Sequence, residues 1–104
     1  MIEEILTATG MPHRQSHFPV RFPDETCAVW LDDITADGPD GYNRIFTHNV
    51  TVELYAAKID PEAEATLEAE FNARGLHWEK QSAYWLRDVQ RYQTIYEITY
   101  TIKN

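Results

Sequence analysis

The sequence predicts an α+β fold: one mostly antiparallel four-stranded sheet with two helices packed on one face, in the order α-β-β-α-β-β, as a single domain over residues 1–104. Three observations carry this. Residues 43–57 and 91–102 alternate apolar and polar side chains over an unusual length. Between them, Asp60 to Gly75 has the start, stripe and stop of an amphipathic helix. A chain of 104 residues suits one domain, and it can bury roughly two-thirds of its unfolded surface.

Taken in order, Ile2, Ile5 and Leu6 fall at helical spacing, with Glu3 and Glu4 near the positive end of the dipole and Gly10 and Pro12 as stops. So short a helix is marginal alone and must dock. Pro12, Pro19 and Pro23 then make residues 11–25 an irregular or edge-strand connection. Thr26 to Asp32 reads as a strand, with Cys27, Val29 and Leu31 on one face and Thr26, Ala28 and Trp30 on the other. Asp37-Gly38-Pro39-Asp40-Gly41 is dense in turn formers, so a hairpin loop is expected before the strand from Asn43 to about Ala57. Phe46, His48, Val50, Val52 and Leu54 share one face of that strand, opposite Thr47, Asn49, Thr51 and Glu53, the pattern of a half-buried antiparallel strand.

In the second helix Asp60 can cap, Pro61 suits the first position, and Glu62 and Glu64 complement the dipole. Ala63, Leu67 and Phe71 form its apolar stripe, and Gly75 can supply the left-handed end. Leu76 to Leu86 reads as a third strand carrying Trp78, Tyr84 and Trp85. After a polar turn at Arg87 to Gln90, the last strand places Tyr92, Thr94, Tyr96, Ile98, Tyr100 and Ile102 on one face.

Composition narrows the function classes. Seventeen acidic residues against 9 basic ones leave a net charge of −8. The basic residues are scattered, whereas gripping nucleic-acid phosphates takes a clustered basic surface. A single cysteine, Cys27, excludes an internal disulfide, and its apolar surroundings point to a buried, inert thiol. The acidic opening Met1-Ile2-Glu3-Glu4 is unlike a secretory signal, no segment has the ~18 apolar residues of a membrane span, and a cytoplasmic protein is expected.

Catalytic and metal motifs fail one by one. His13 and His17 lack a third ligand nearby and lie in a Pro-broken segment. His48 is expected as a satisfied core histidine and His77 as a surface one. Asp32, Asp33, Asp37 and Asp40 crowd one hairpin, but without the alternating ligands and closing Glu of a calcium loop. The four glycines are isolated, and neither Ser16 nor Ser82 sits in a nucleophile elbow. No enzyme activity, cofactor or metal is expected.

The unusual features are geometric. Strands of about fifteen and twelve residues exceed the usual ~5–6 and should project beyond a small core. Trp30, Tyr55 and Ile95, read as outward-facing, add apolar surface for a neighbour to cover.

The Ile2-Glu3-Glu4-Ile5-Leu6 helix, the Trp30-Leu31-Asp32-Asp33 strand end, the Val52-Glu53-Leu54-Tyr55 to Asp60-Pro61-Glu62 segment and the Tyr92-to-Glu97 strand occur in a succession that resembles small proteins of tailed-phage and prophage head–tail gene clusters, called minor capsid, tail completion or tail terminator proteins. The resemblance covers nearly the whole chain and rests on pattern, with no catalytic signature. It implies a subunit of a ring, often a hexamer, at the head–tail junction of a virion. There it would meet the major tail protein and the head–tail connector after a time in the host bacterial cytoplasm. DNA would pass without being gripped, which the acidic balance suits. By position, the hairpin from Asp33 to Arg44, with Asp37, Asp40 and Tyr42, is expected to be an inter-subunit or lumen-facing arm, and Tyr55 a further contact. Two rivals remain open: an acidic regulatory binder of antitoxin or DNA-mimic type, and a small hydrolase or ligand-binding domain, which needs a pocket with convergent polar groups.

Overall fold

A computed structural model describes residues 1–18, 21–38 and 45–103. It is α+β, with two helices and a six-stranded mixed sheet. The elements are α1 (Ile2–Thr9), β1 (His13–Gln15), β2 (Cys27–Asp37), β3 (Ile45–Ala56), α2 (Pro61–Ala73), β4 (Trp78–Lys80), β5 (Tyr84–Leu86) and β6 (Arg91–Lys103). The sheet runs β1-β2-β3-β6-β4, and β5 also pairs with β6. The long strands β2, β3 and β6 are antiparallel neighbours; β1 joins β2 in parallel.

The edge-strand alternative for the connection after α1 holds as β1, which lies at the sheet's edge and runs parallel to β2. Three expectations are corrected here. The sheet is six-stranded and mixed where a four-stranded, mostly antiparallel one was expected. The strand expected over 76–86 is two short strands, because the backbone leaves the ladder between Lys80 and Tyr84 and both pieces then pair with β6. The strand expected to end at Asp32 continues to Asp37, because β3 supplies a partner at every residue from Cys27↔Tyr55 to Asp37↔Ile45. A full ladder outweighs the low strand preference of aspartate.

Both helices lie on one face and share a core. Ile2, Ile5 and Leu6 of α1 and Leu67 and Phe71 of α2 pack on Ala28, Val50, Val52, Leu54, Tyr96 and Ile98. The register explains the common face: Ala28 pairs with Leu54, and Val52 and Val50 pair with Tyr96 and Ile98. Gly10 ends α1 at φ 78, and Gly75 follows α2 at φ 66, backbone conformations that glycine adopts at little cost.

The start of α2 is built as its residues imply. Asp60 accepts from the Ala63 amide at 3.1 Å and from the Thr26 hydroxyl at 2.6 Å, tying the helix to the start of β2. The Thr26 bond first, and the amide second, hold the Asp60 carboxyl below its ordinary value. Asp60→Ala is expected to lower stability by about 1–2 kcal/mol in urea unfolding; an unchanged midpoint would show that the cap is idle.

One polar cluster fastens α2 to the sheet. The Tyr96 hydroxyl donates to Glu68 at 2.6 Å, and Lys80 reaches Glu68 at 2.8 Å and Glu64 at 2.5 Å. Burial works to raise the Glu68 pKa, but bonds from Lys80 and Tyr96 outweigh it and hold the carboxyl below its ordinary 4.5. A carboxyl depressed by folding stabilises the fold above its unfolded value, and that stability is lost as pH falls through the lowered folded value. Stability is therefore expected to decline below about pH 4.5, more steeply in the parent than in Glu68→Gln, as measured by thermal melts across pH; parallel profiles would refute the assignment.

Candidate functional site

The three long strands run past the helices. The core on the helix side ends at the level of Val50 and Ile98, with Trp30 and Tyr100 packed at its margin. Beyond it, β2, β3 and β6 continue as a three-stranded ribbon, and the whole chain extends 50 × 28 × 23 Å. The helix-side face of the ribbon is apolar. Ile34 is level with His48 and Tyr100, and Ala36 with Phe46 and Ile102. Ile34 is 52% and Ile102 43% exposed. The other face carries Asp33, Thr35, Thr47, Asn49, Thr99 and Thr101, which alternation turns away from the core.

At the root of the ribbon sits a pair that the sequence did not disclose. His48 Nδ1 donates to Asp32 Oδ2 at 2.8 Å, and the imidazole stacks flat on Tyr100 with ring centres 4.5 Å apart. Asp32 is on β2 and His48 on β3, a diagonal pair two residues off the direct pair Ile34↔His48. Asp32 Oδ1 is buried and has no hydrogen-bond donor among the described residues. Burial first, and the nearby Asp32 charge second, raise the Tyr100 pKa. The bond and the stacked ring tie β2, β3 and β6 together, and among the described residues no third metal ligand joins the pair. His48 is the satisfied histidine that its strand position implied.

The opposite face has a second, smaller core. Cys27, Val29 and Tyr55 are buried beneath Phe18, Phe22 and Leu86. This corrects the outward, open placement of Tyr55. Its alternation is as expected, but the Pro-broken segment folds back over it, and the Phe22 ring lies 4.4 Å from the Tyr55 ring. The Tyr55 hydroxyl donates to Glu53 at 2.9 Å and accepts from Gln93 at 2.8 Å. Burial, then the Glu53 bond, push its pKa up to about 12. Trp30 packs at the margin of the helix-side core, and Ile95 is half-buried. Burial also pushes the Cys27 thiol up to about 11, so it stays protonated and inert near neutrality.

Beside this core is a cleft of about 550 Å³ between Phe18, Arg21, Phe22 and Asp24 on one side and the sheet on the other, with Val29, Glu53, Tyr55, Val89 and Arg91 in its wall. Arg91 pins the segment by donating from Nη2 to the Pro23 carbonyl at 2.6 Å, and its guanidinium lies 5.7 Å from the centre of the Phe22 ring. Arg91 Nη1 is buried and finds no acceptor among the described residues. Asp24 and Glu53 in the same wall offset the charges of Arg21 and Arg91.

Of the residues expected to form an arm, Asp33 and Asp37 lie on β2, exposed, as part of a regular strand instead of a loop. Asp40, Tyr42 and Arg44 lie outside the described residues. His13 is in β1, with Nδ1 donating to the Met11 carbonyl at 2.9 Å, while His17 is exposed at the cleft. His77 is exposed beside Glu79. Among the described residues no three His, Cys, Asp or Glu side chains come together as a metal site, and no helix is long and apolar enough to cross a membrane.

Set against models of known families and against curated proteins, the chain matches none.

Proposed function

We propose that this protein is a non-catalytic assembly subunit that joins copies of itself into a ring, and that the ring ends the tail tube at the head–tail junction of a tailed-phage particle. The observation that carries the assembly half is the uncovered apolar face of the projecting ribbon. A narrow antiparallel ribbon is stable when its apolar face packs against something. Here Ile34 and Ile102 stand in water beyond the reach of both helices. Contiguous exposed apolar surface on a small protein marks an interaction site. The place of the ring in a virion is supported by the resemblance of the sequence alone, and the net charge of −8 suits a channel that lets DNA through.

Light scattering over a concentration series tests the reading. Association to species larger than a dimer, and recruitment to purified tail tubes, are expected. A protein that stays monomeric throughout and ignores the tubes would overturn it.

The cleft beside Tyr55 favours a second reading, a binding domain for a small molecule. Its volume lies in the range of ligand sites, and its wall mixes aromatic, apolar and charged groups. Changes in the NMR signals of Val29, Val89 and Tyr55 on screening small organic acids and amines would support it; silence across the screen would remove it.

A further inference from the structure

The ribbon is open on both sides at the same level. β1 covers β2 only at Ala28 to Trp30, so Leu31 to Asp37 has no strand on its outer edge among the described residues. On the far side, β5 and β4 cover β6 at Arg91 to Gln93 and Tyr96 to Ile98, which leaves Thr99 to Lys103 equally bare among the described residues. The register makes these two stretches level, Asp33 with Thr99 and Asp37 with Lys103 across β3. Each edge is a row of unpaired amide and carbonyl groups, a template for another strand. A protein that adds one foreign strand needs one such edge. Two edges, level and of similar length on one ribbon, are what a repeating assembly needs.

Strand direction decides how copies fit. β2 and β6 are both antiparallel to β3, so they run parallel to each other. Copies related by rotation about an axis along the ribbon therefore bring the β6 of one beside the β2 of the next as a parallel pair. A two-fold dimer would instead pair β2 with β2. That would set Asp33 and Asp37 against the same residues of the second copy, and like charges facing across strands are destabilising. The β6 edge has no acidic residue in its bare stretch and ends in a lysine in sequence. The two edges thus complement each other in charge, and the β2 edge repels its own kind.

We infer that copies of this chain join head to tail by parallel pairing of Thr99–Lys103 of one copy with Leu31–Asp37 of the next, extending the three-stranded ribbon into a continuous sheet. The inference rests on the assembly reading above and specifies its contact. Every join leaves one edge of each type free, so the contact is heterologous and either closes into a ring or runs on as a filament. The apolar faces of neighbouring ribbons become contiguous at the seam, where Ile34 of one copy meets the Tyr100 and Ile102 side of the other. The polar face stays in water.

Cysteine cross-linking in the full chain tests this. Thr35 and Thr101 are exposed and level across β3. Within one copy they lie two strand spacings apart, about 9–10 Å, beyond the ~7 Å Cα separation that a disulfide spans. In neighbouring copies they would be about one spacing apart. Cys27 is fully buried and does not compete. Oxidised Thr35→Cys/Thr101→Cys protein is expected to give a ladder of covalent species larger than a dimer that collapses on reduction. Each single variant should remain uncrosslinked, with unchanged melting. Association by light scattering without covalent species above the dimer would overturn the edge contact while leaving assembly standing, as would efficient dimers of Thr35→Cys alone. A protein that never associates would overturn the assembly reading itself, and this contact with it.

Discussion

Phe71→Ala is expected to destabilise the protein by about 3–5 kcal/mol. Phe71 is fully buried, and its ring meets Tyr96 edge-on with centres 5.7 Å apart and Trp78 at 6.3 Å. Leu67 and Phe71 are the only buried residues of α2 among those described, so the helix hangs on two side chains. Removing the ring leaves a cavity that Tyr96, held by its bond to Glu68, is poorly placed to fill. Domains of this size are stable by about 5–15 kcal/mol, so the variant should sit near the edge of folding at 25 °C. Urea unfolding monitored by circular dichroism gives the number. A loss under 1 kcal/mol would mean that α2 is not anchored where we place it.

The second large effect concerns association. Ile34→Lys together with Ile102→Lys is expected to weaken self-association about 10- to 100-fold, since burying the exposed half of each isoleucine at a seam is worth roughly 0.8–1.5 kcal/mol. Both side chains are about half exposed in the single chain, so folding should change by no more than about 0.5 kcal/mol per site. Sedimentation velocity separates the two quantities. Unchanged association in a normally melting double variant would show that the ribbon face is not the contact.

Much of the frame was legible in the residues. Asp60, Pro61, the Leu67–Phe71 stripe and Gly75 set α2 almost to the residue, because capping and helical periodicity are local. The alternation in β3 and β6 was equally plain, and it assigned His48, Tyr96 and Tyr100 to their correct face. The Asp33–Asp37 stretch reads as part of the hairpin loop because aspartate has low strand preference, and only the partner strand makes it regular. Leu76 to Leu86 looked like one strand because its aromatics are continuous in sequence. The chain leaves the ladder after Gln81, whose amide still reaches the Ile95 carbonyl at 2.9 Å, and rejoins β6 at Tyr84↔Gln93 with the register shifted by one residue.

By itself, then, the sequence determined the class of fold, both helices, the helix-side face of the two long strands and an acidic chain without a cysteine framework. These are properties of neighbours along the chain, read at periods of two and 3.6 residues. Only the tertiary structure decided the Asp32–His48 pair, the cover of Phe22 over Tyr55, the half-buried Arg91 and the bare edges of the ribbon. Each of these depends on strand register or on where a proline-broken segment comes to rest. Register is a relation between residues far apart in sequence, set by which pairing buries the most apolar surface.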